Sequence, residues 1–359
     1  MPKKTTLEGF ADEKAHARFA ENQELAREAR AARAEARDQK AAAERLEKEL
    51  GLYRALKGMA PVVPSWLTPT TPRAGHRAIP TLVVCDAHYG EVVDPGQIEG
   101  LNAYNVAIAF QRLKRAFTGA VMLCRDYMKG VAYDGANLML PGDLISGDIH
   151  EELRETNELT VAEMVVGILE PLEAGINLLA REFGRVHVAG VPGNHPRGTK
   201  KPVYKNRARD NFDTLIYRLL QRDYKGDAKV TVAVADGADL PVQVYGTRYL
   251  LTHGDQFHGG SGISGVLAPL LLGTHRKTRR AASAGRPYDQ LVMGHFHQSL
   301  WFPSKGLIVS GCVKGYDELA YIANYEPEPA QCALWLTTPE RGIINSMPVF
   351  VQDRKAEGW

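Results

Sequence analysis

The chain has 359 residues, 44% of them hydrophobic, with a formal net charge of +2 and a pI near 8.2. That is enough apolar material for one large domain plus an appendage, and the near balance of charge leaves no global pull toward nucleic acid, so any basic footprint has to be local. No apolar run approaches the roughly 18 residues of a membrane span, and the start Met1-Pro2-Lys3-Lys4 lacks the apolar core of a secretory leader. The expectation is a cytoplasmic protein with no membrane partner. Cys85, Cys124, Cys312 and Cys332 form no C-x-x-C pair, which fits reduced thiols.

Residues 1–58 are dominated by Ala, Glu, Arg and Lys, with no glycine between Gly9 and Gly51. A four-three spacing through Leu25, Ala29, Ala32, Ala36, Gln39, Ala43, Leu46, Leu50 and Tyr53 predicts a long helix with a coiled-coil seam, an arm for a homo-oligomer or a protein partner. The alternative is a solvated helix resting on its own domain. Residues 59–78 carry Pro61, Pro64, Pro69 and Pro72 and read as an extended linker, with Trp66 placed to anchor it.

The remainder, 79–359, reads as one domain. A strand at 81–85, a helix at 103–128, a strand around Leu138, a helix at 159–183 and a strand at 186–191 alternate as parallel pairing with helical crossovers requires. After a helix near 211–221 the pattern turns strand-rich, through 229–235, 242–244, 249–252, 290–293, 300–302, 307–310, 332–337 and 343–351. The expected fold class is α/β, in an α+β layering of two sheets face to face with helices outside. Residues 256–288 form a flap-like insertion whose start, Gly259-Gly260-Ser261-Gly262, suits either an anion cradle or a hinge.

Five apolar runs end in metal-ligand residue types: Asp86-Ala87-His88, Gly142-Asp143, Gly193-Asn194-His195, His253-Gly254-Asp255 and Gly294-His295-Phe296-His297. Open α/β sheets bind ligands beyond the carboxyl ends of their strands. Carboxylate, imidazole and amide oxygen together suit Mn, Fe or Zn. A single such residue is more often a satisfied core group, but five strand ends agreeing in type and context point to one shared site.

In that order, the motifs D-x-H, G-D, G-N-H, H-G-D and G-H-x-H resemble the calcineurin-like metallophosphoesterase superfamily over residues 79 to 310. The resemblance implies a double β-sandwich flanked by helices and two divalent ions about 3.5–4 Å apart, with Mn²⁺ expected and Fe, Zn or Ni as alternatives. It also implies that Asp86, His88 and His297 hold the first ion, that Asn194, His253 and His295 hold the second, and that Asp143 bridges them. His195 would then be the general acid or transition-state stabiliser. One position departs from the pattern: Pro196 stands where the family has an acid that orients the preceding histidine. Asp148, Glu151 and Asp210 are candidates to replace it.

Arg197, Lys200, Lys201, Lys205, Arg207 and Arg209 form a basic run directly after the third motif, with Tyr204 inside it, and His275 to Arg280 form a second basic cluster. Two runs of one sign flanking the same site predict contacts to a phosphate backbone. The expected activity is phosphodiester hydrolysis, with DNA as the nucleic-acid substrate. Phosphomonoesterase, protein phosphatase or small-nucleotide phosphodiesterase activity is the runner-up, and a non-catalytic coiled-coil adaptor is the reading from a different class.

Overall fold

The computed structural model describes residues 76–258 and 267–359, together with 64–67 and a few residues between 33 and 40. Most of the predicted coiled-coil arm and of the linker therefore lies outside the described residues, as does the glycine-rich start of the insertion. No helix among the described residues is long and apolar enough to cross a membrane.

Among the described residues, thirteen strands build two sheets. In chain order they are β1 (Arg77–Val83), β2 (Ala132–Tyr133), β3 (Ala136–Leu140), β4 (Val186–Gly190), β5 (Val230–Val234), β6 (Asp239–Val244), β7 (Thr247–Thr252), β8 (Gln290–Met293), β9 (Leu300–Phe302), β10 (Leu307–Val309), β11 (Gln331–Thr338), β12 (Gly342–Ile343) and β13 (Met347–Phe350). The first sheet runs β12-β11-β1-β3-β4-β5, with β13 beside β11 and β2 beside β1. Strands β1, β3, β4 and β5 are mutually parallel, as helical crossovers require. The second sheet runs β6-β7-β8-β10-β9, with β7, β8 and β10 parallel.

Three apolar layers hold these sheets. Between them lie Val83, Met139, Ala189, Val191, Val242, Leu251, Val292, Ile308 and Trp335. Outside the first sheet, helices Val106–Met122 and Val161–Phe183 bury Leu113, Phe117, Ile168, Leu172 and Ile176. Outside the second, Leu270 packs with Leu250, Leu291, Met293 and Leu307. Leu270 belongs to helix Leu267–Ser283, and Lys277 of that helix bonds Asp239, Thr252 and Gln256. The described part of the predicted flap is thus a docked helix, because Leu270 and Lys277 give it an apolar and a polar anchor. Trp66 stacks under the Arg185 guanidinium at 4.5 Å and fixes the end of the linker. All four cysteines are buried and unpaired.

Most predicted elements fall within a few residues of the observed ones. The predicted strand 343–351 is instead two short strands, β12 and β13, separated at Asn345, whose Oδ1 accepts the Leu336 N–H.

His187 on β4 is fully buried, and burial pushes its imidazole down to about 4. The unfolded chain, with the ordinary value near 6.5, takes up the proton first. This contribution is therefore intact above pH 6.5 and is lost as pH falls toward 4, amounting to about 3 kcal/mol. Urea midpoints of the EDTA-treated protein should drop less across that window for His187→Leu than for the parent; parallel curves would place the acid sensitivity elsewhere.

Candidate metal centre

Each motif sits just past the carboxyl end of a parallel strand: β1 leads to Asp86 and His88, β3 to Asp143, β4 to Asn194 and His195, β7 to His253, and β8 to His295 and His297. The first two loops are zipped together, with Asp86 N–H on Gly142 O and His88 N–H on Asp143 O. The second and third touch backbone to backbone. A side chain on Gly142 would run into the Gly193 backbone, and one on Gly193 into the Asp143 carboxylate. Only glycine permits this approach.

Strain is concentrated here. Asp86, His88, Asp143, His295 and His297 have φ of +49°, +42°, +51°, +67° and +55°, five of the nine non-glycine residues in that region among those described. Such conformations cost on the order of 1–3 kcal/mol each and persist where the surroundings over-determine them, which is typical of ligand sites.

The ligand-type atoms fall into two main groups, linked by a third made of His88, Asp143 and His195. One donor atom each from Asp86, His88 and His297 lie within 4.8 Å of one another, and so do those of Asp143, His253 and His295. Asn194 joins the second group, its Oδ1 2.9 Å from His253 Nε2. Asp143 Oδ2 lies 3.1 Å from His253 Nε2 and 4.0 Å from His88 Nε2, so this one oxygen faces both groups. Its Oδ1 is occupied by the His195 N–H at 2.8 Å. Asp86 accepts the His295 N–H through both oxygens. Six motif residues and the amide of Asn194 thus share one pocket.

The hydrogen bonding shows that cations fit. His253 Nδ1 meets Pro141 O at 2.8 Å; a carbonyl only accepts, so Nδ1 carries the proton. In the neutral ring Nε2 is then a lone pair facing two further acceptors, Asn194 Oδ1 and Asp143 Oδ2. Three converging lone pairs repel unless something positive lies among them. The electrostatics agree: burial disfavours charge on His253, yet Asp143 outweighs it and pushes the imidazole up to about 10. His88 Nε2 is buried without a hydrogen-bond partner. Burial would raise Asp86, but His297 holds it near 2; Asp143 is held well below the usual range by His253 and His195. These are donor sets for divalent ions.

His195 lies at the edge of this pocket, 4.5 Å ring to ring from His88. The substitute for the missing acid is none of Asp148, Glu151 or Asp210. Asp148 is exposed, Glu151 pairs with Lys200, and the Asp210 backbone closes the following loop. The Ser146 carbonyl accepts His195 Nδ1–H at 3.3 Å instead. Burial and the neighbouring His88 push His195 down to about 3.

Two further groups carried no motif. Glu91 lies 3.2 Å from His88 Nδ1 and is itself gripped by buried Lys314, which also binds Asp317. Burial works against its charge, but Lys314 and His88 hold the Glu91 carboxyl well below its usual range. A carboxylate behind an imidazole orients the ring and raises its basicity. Asp213, fully buried, accepts backbone N–H groups from the second and third motifs. Burial, with the nearby charge of Asp143, pushes it up to about 7.

The basic run divides. Arg197 donates to the carbonyls of Asn194, Thr199 and Lys200, stapling its own loop. Arg207 makes a two-pronged pair with Asp255 and donates to Pro192 O. These two brace the loop through the carbonyls and the carboxylate around them. Lys200 forms an exposed ion pair with Glu151, while Lys201, Lys205 and Arg209 are exposed, with Tyr204 between them 99% exposed.

No protein-family model and no curated protein matches the chain. Among solved structures, a dimetal phosphatase from Danio rerio is similar at 12% identity, over 78% of this chain and 100% of that one, with a TM-score of 0.37. An archaeal phosphodiesterase gives 10% identity, 75% and 99% coverage, and a TM-score of 0.34. A predicted phosphoesterase from Streptococcus pneumoniae gives 9% identity, 77% and 99% coverage, and 0.28. By the order of its motifs, and by the paired sheets whose strand ends carry them, the chain resembles the calcineurin-like metallophosphoesterases.

Proposed function

We propose that this chain is a two-metal phosphoesterase that hydrolyses phosphodiester bonds, with DNA as its substrate and Mn²⁺ as its ion. The observation that carries the first part is Asp143 Oδ2, which faces both ligand groups at once. Asp86, His88 and His297 would hold one ion and Asn194, His253 and His295 the other, with Asp143 shared. When bound, two divalent cations supply a hydroxide nucleophile at neutral pH and offset the charge that builds on the phosphate oxygens. The protein's part is to keep this geometry rigid. Pro141 O fixes the tautomer of His253, Glu91 orients His88, and the His195 N–H holds the unshared oxygen of Asp143. His195, at the edge of the pocket beside His88, would be the group that protonates a leaving oxygen.

The DNA reading is supported by the loop after His195. Its base is braced by Arg197 and Arg207, so Lys201, Tyr204 and Lys205 are displayed from a firm support. Cations there suit a phosphate backbone, and an exposed ring suits stacking on an unpaired base. A cavity of about 180 Å³ lies on the segment that follows His253 and is lined by Gln256, Phe257, His258, Arg276 and Arg280 among others.

With Mn²⁺, the purified protein should cleave bis-p-nitrophenyl phosphate and labelled DNA. Turnover of p-nitrophenyl phosphate with none of DNA would overturn the nuclease reading; no Mn²⁺-dependent turnover of any ester would overturn the phosphoesterase reading. The double substitution Lys201→Glu, Lys205→Glu should weaken DNA cleavage and flatten its salt dependence by a slope of roughly 1.5, while sparing the small diester. Equal loss on both substrates would show that the lysines do not contact the backbone.

A further inference from the structure

Helix Phe212–Asp223 begins beside the third motif, and Asn211 is its cap: Asn211 Oδ1 accepts the N–H groups of Asp213 and Thr214, and its Nδ2 donates to Gly193 O. Asp213, in the first turn, is therefore not needed as a cap. Its carboxylate turns outward from its own helix to three amides of other segments. Oδ2 accepts Asp143 N–H and Gly193 N–H, both at 2.9 Å, and Oδ1 accepts Leu144 N–H at 3.1 Å. Burying a carboxylate completely is costly unless its oxygens are satisfied, and here only backbone does so.

What those amides have in common is decisive. One belongs to the residue that faces both ligand groups, one to the residue after it, and one to the residue before Asn194. The loops already touch at Gly142 and Gly193, but contact alone does not fix how far one can slide along the other. A single carboxylate oxygen shared by Asp143 N–H and Gly193 N–H does. That register lets Asp143 Oδ2 and Asn194 Oδ1 reach His253 Nε2 together, at 3.1 and 2.9 Å.

We propose that Asp213 is a positioning residue that sets the spacing between Asp143 and Asn194, and so decides whether the Asn194–His253–His295 site holds its ion. This rests on the two-metal reading. Asp213 touches neither substrate nor ion, and it acts only through the two loops.

The test is titration of the metal-free protein with Mn²⁺ alone, read by calorimetry and by electron paramagnetic resonance. The parent should take two ions and show the coupled signal of a close pair. Asp213→Asn places an N–H₂ against the amides, and Asp213→Glu moves the same charge by one methylene. Both should keep one ion, bind the second at least tenfold more weakly, and show the signal of an isolated Mn²⁺. Ile216→Val, a cavity in the same helix, should lower thermal stability and keep both ions. Two ions bound with parental affinity by both Asp213 variants would overturn the proposal, as would an equal loss of the second ion in Ile216→Val. A parent that binds fewer than two ions would overturn the two-metal reading itself, a separate result.

Discussion

Asp143→Asn should abolish hydrolysis of every phosphoester the protein accepts, with kcat falling by roughly a thousandfold or more, and should remove most of the bound metal. The substitution is nearly isosteric, so the packing argument is weak and the charge argument strong. Asn can still offer an oxygen to the His195 N–H, which now binds Asp143 Oδ1. It cannot offer a second, negatively charged oxygen to both ligand groups. The carboxamide would place either a neutral oxygen or an N–H₂ at the position 3.1 Å from His253 Nε2. The same exchange removes the charge that outweighs burial at His253, so its imidazole should fall well below its present value near 10. Metal analysis and turnover measured on one preparation check this, with circular dichroism to show that the fold survives. A variant that keeps both its metal and its activity would dismantle the site.

The clustering of these motif residues could be read from sequence because every member follows an apolar run that becomes a buried strand: Leu82-Val83-Val84, Leu138-Met139-Leu140, Val188 to Val191, Leu250-Leu251, and Leu291 to Met293. Strand ends fix positions, and parallel pairing brings them to one edge. What could not be read is anything decided by a contact between distant segments. Asp213 is an ordinary acid near a helix start until three amides from other loops are found around it. Glu91 is one of many loop acids until Lys314, 223 residues away, proves to grip it. The same limit explains Arg197 and Arg207, which look like substrate contacts as part of a basic run. Their neighbours in space, three carbonyls and Asp255, make them braces. Charge runs announce themselves in sequence; the partners that neutralise individual members do not.

His195→Gln separates two roles that the geometry permits. The Ser146 carbonyl takes the Nδ1 proton, so a neutral His195 presents only a lone pair at Nε2. Donating to a leaving oxygen then requires a second proton, which burial and the neighbouring His88 resist until the value lies near 3. A bound phosphodiester brings negative charge to the same pocket and shifts the balance toward imidazolium. If that is how the residue works, its worth depends on the leaving group. The alkoxide released from DNA is strongly basic and needs the proton, so Gln should cost roughly 10²–10⁴-fold in kcat. A nitrophenolate is stabilised by its ring and departs without help, so bis-p-nitrophenyl phosphate should lose less than about tenfold. One donor atom of His195 also lies within 4.8 Å of those of His88 and Asp143, close enough for it to act on the ion instead. In that case both substrates fall together and metal affinity falls with them. The ratio of the two losses, with metal content measured alongside, assigns the residue: a ratio well above ten marks a proton donor to the leaving oxygen, and a ratio near one marks a ligand.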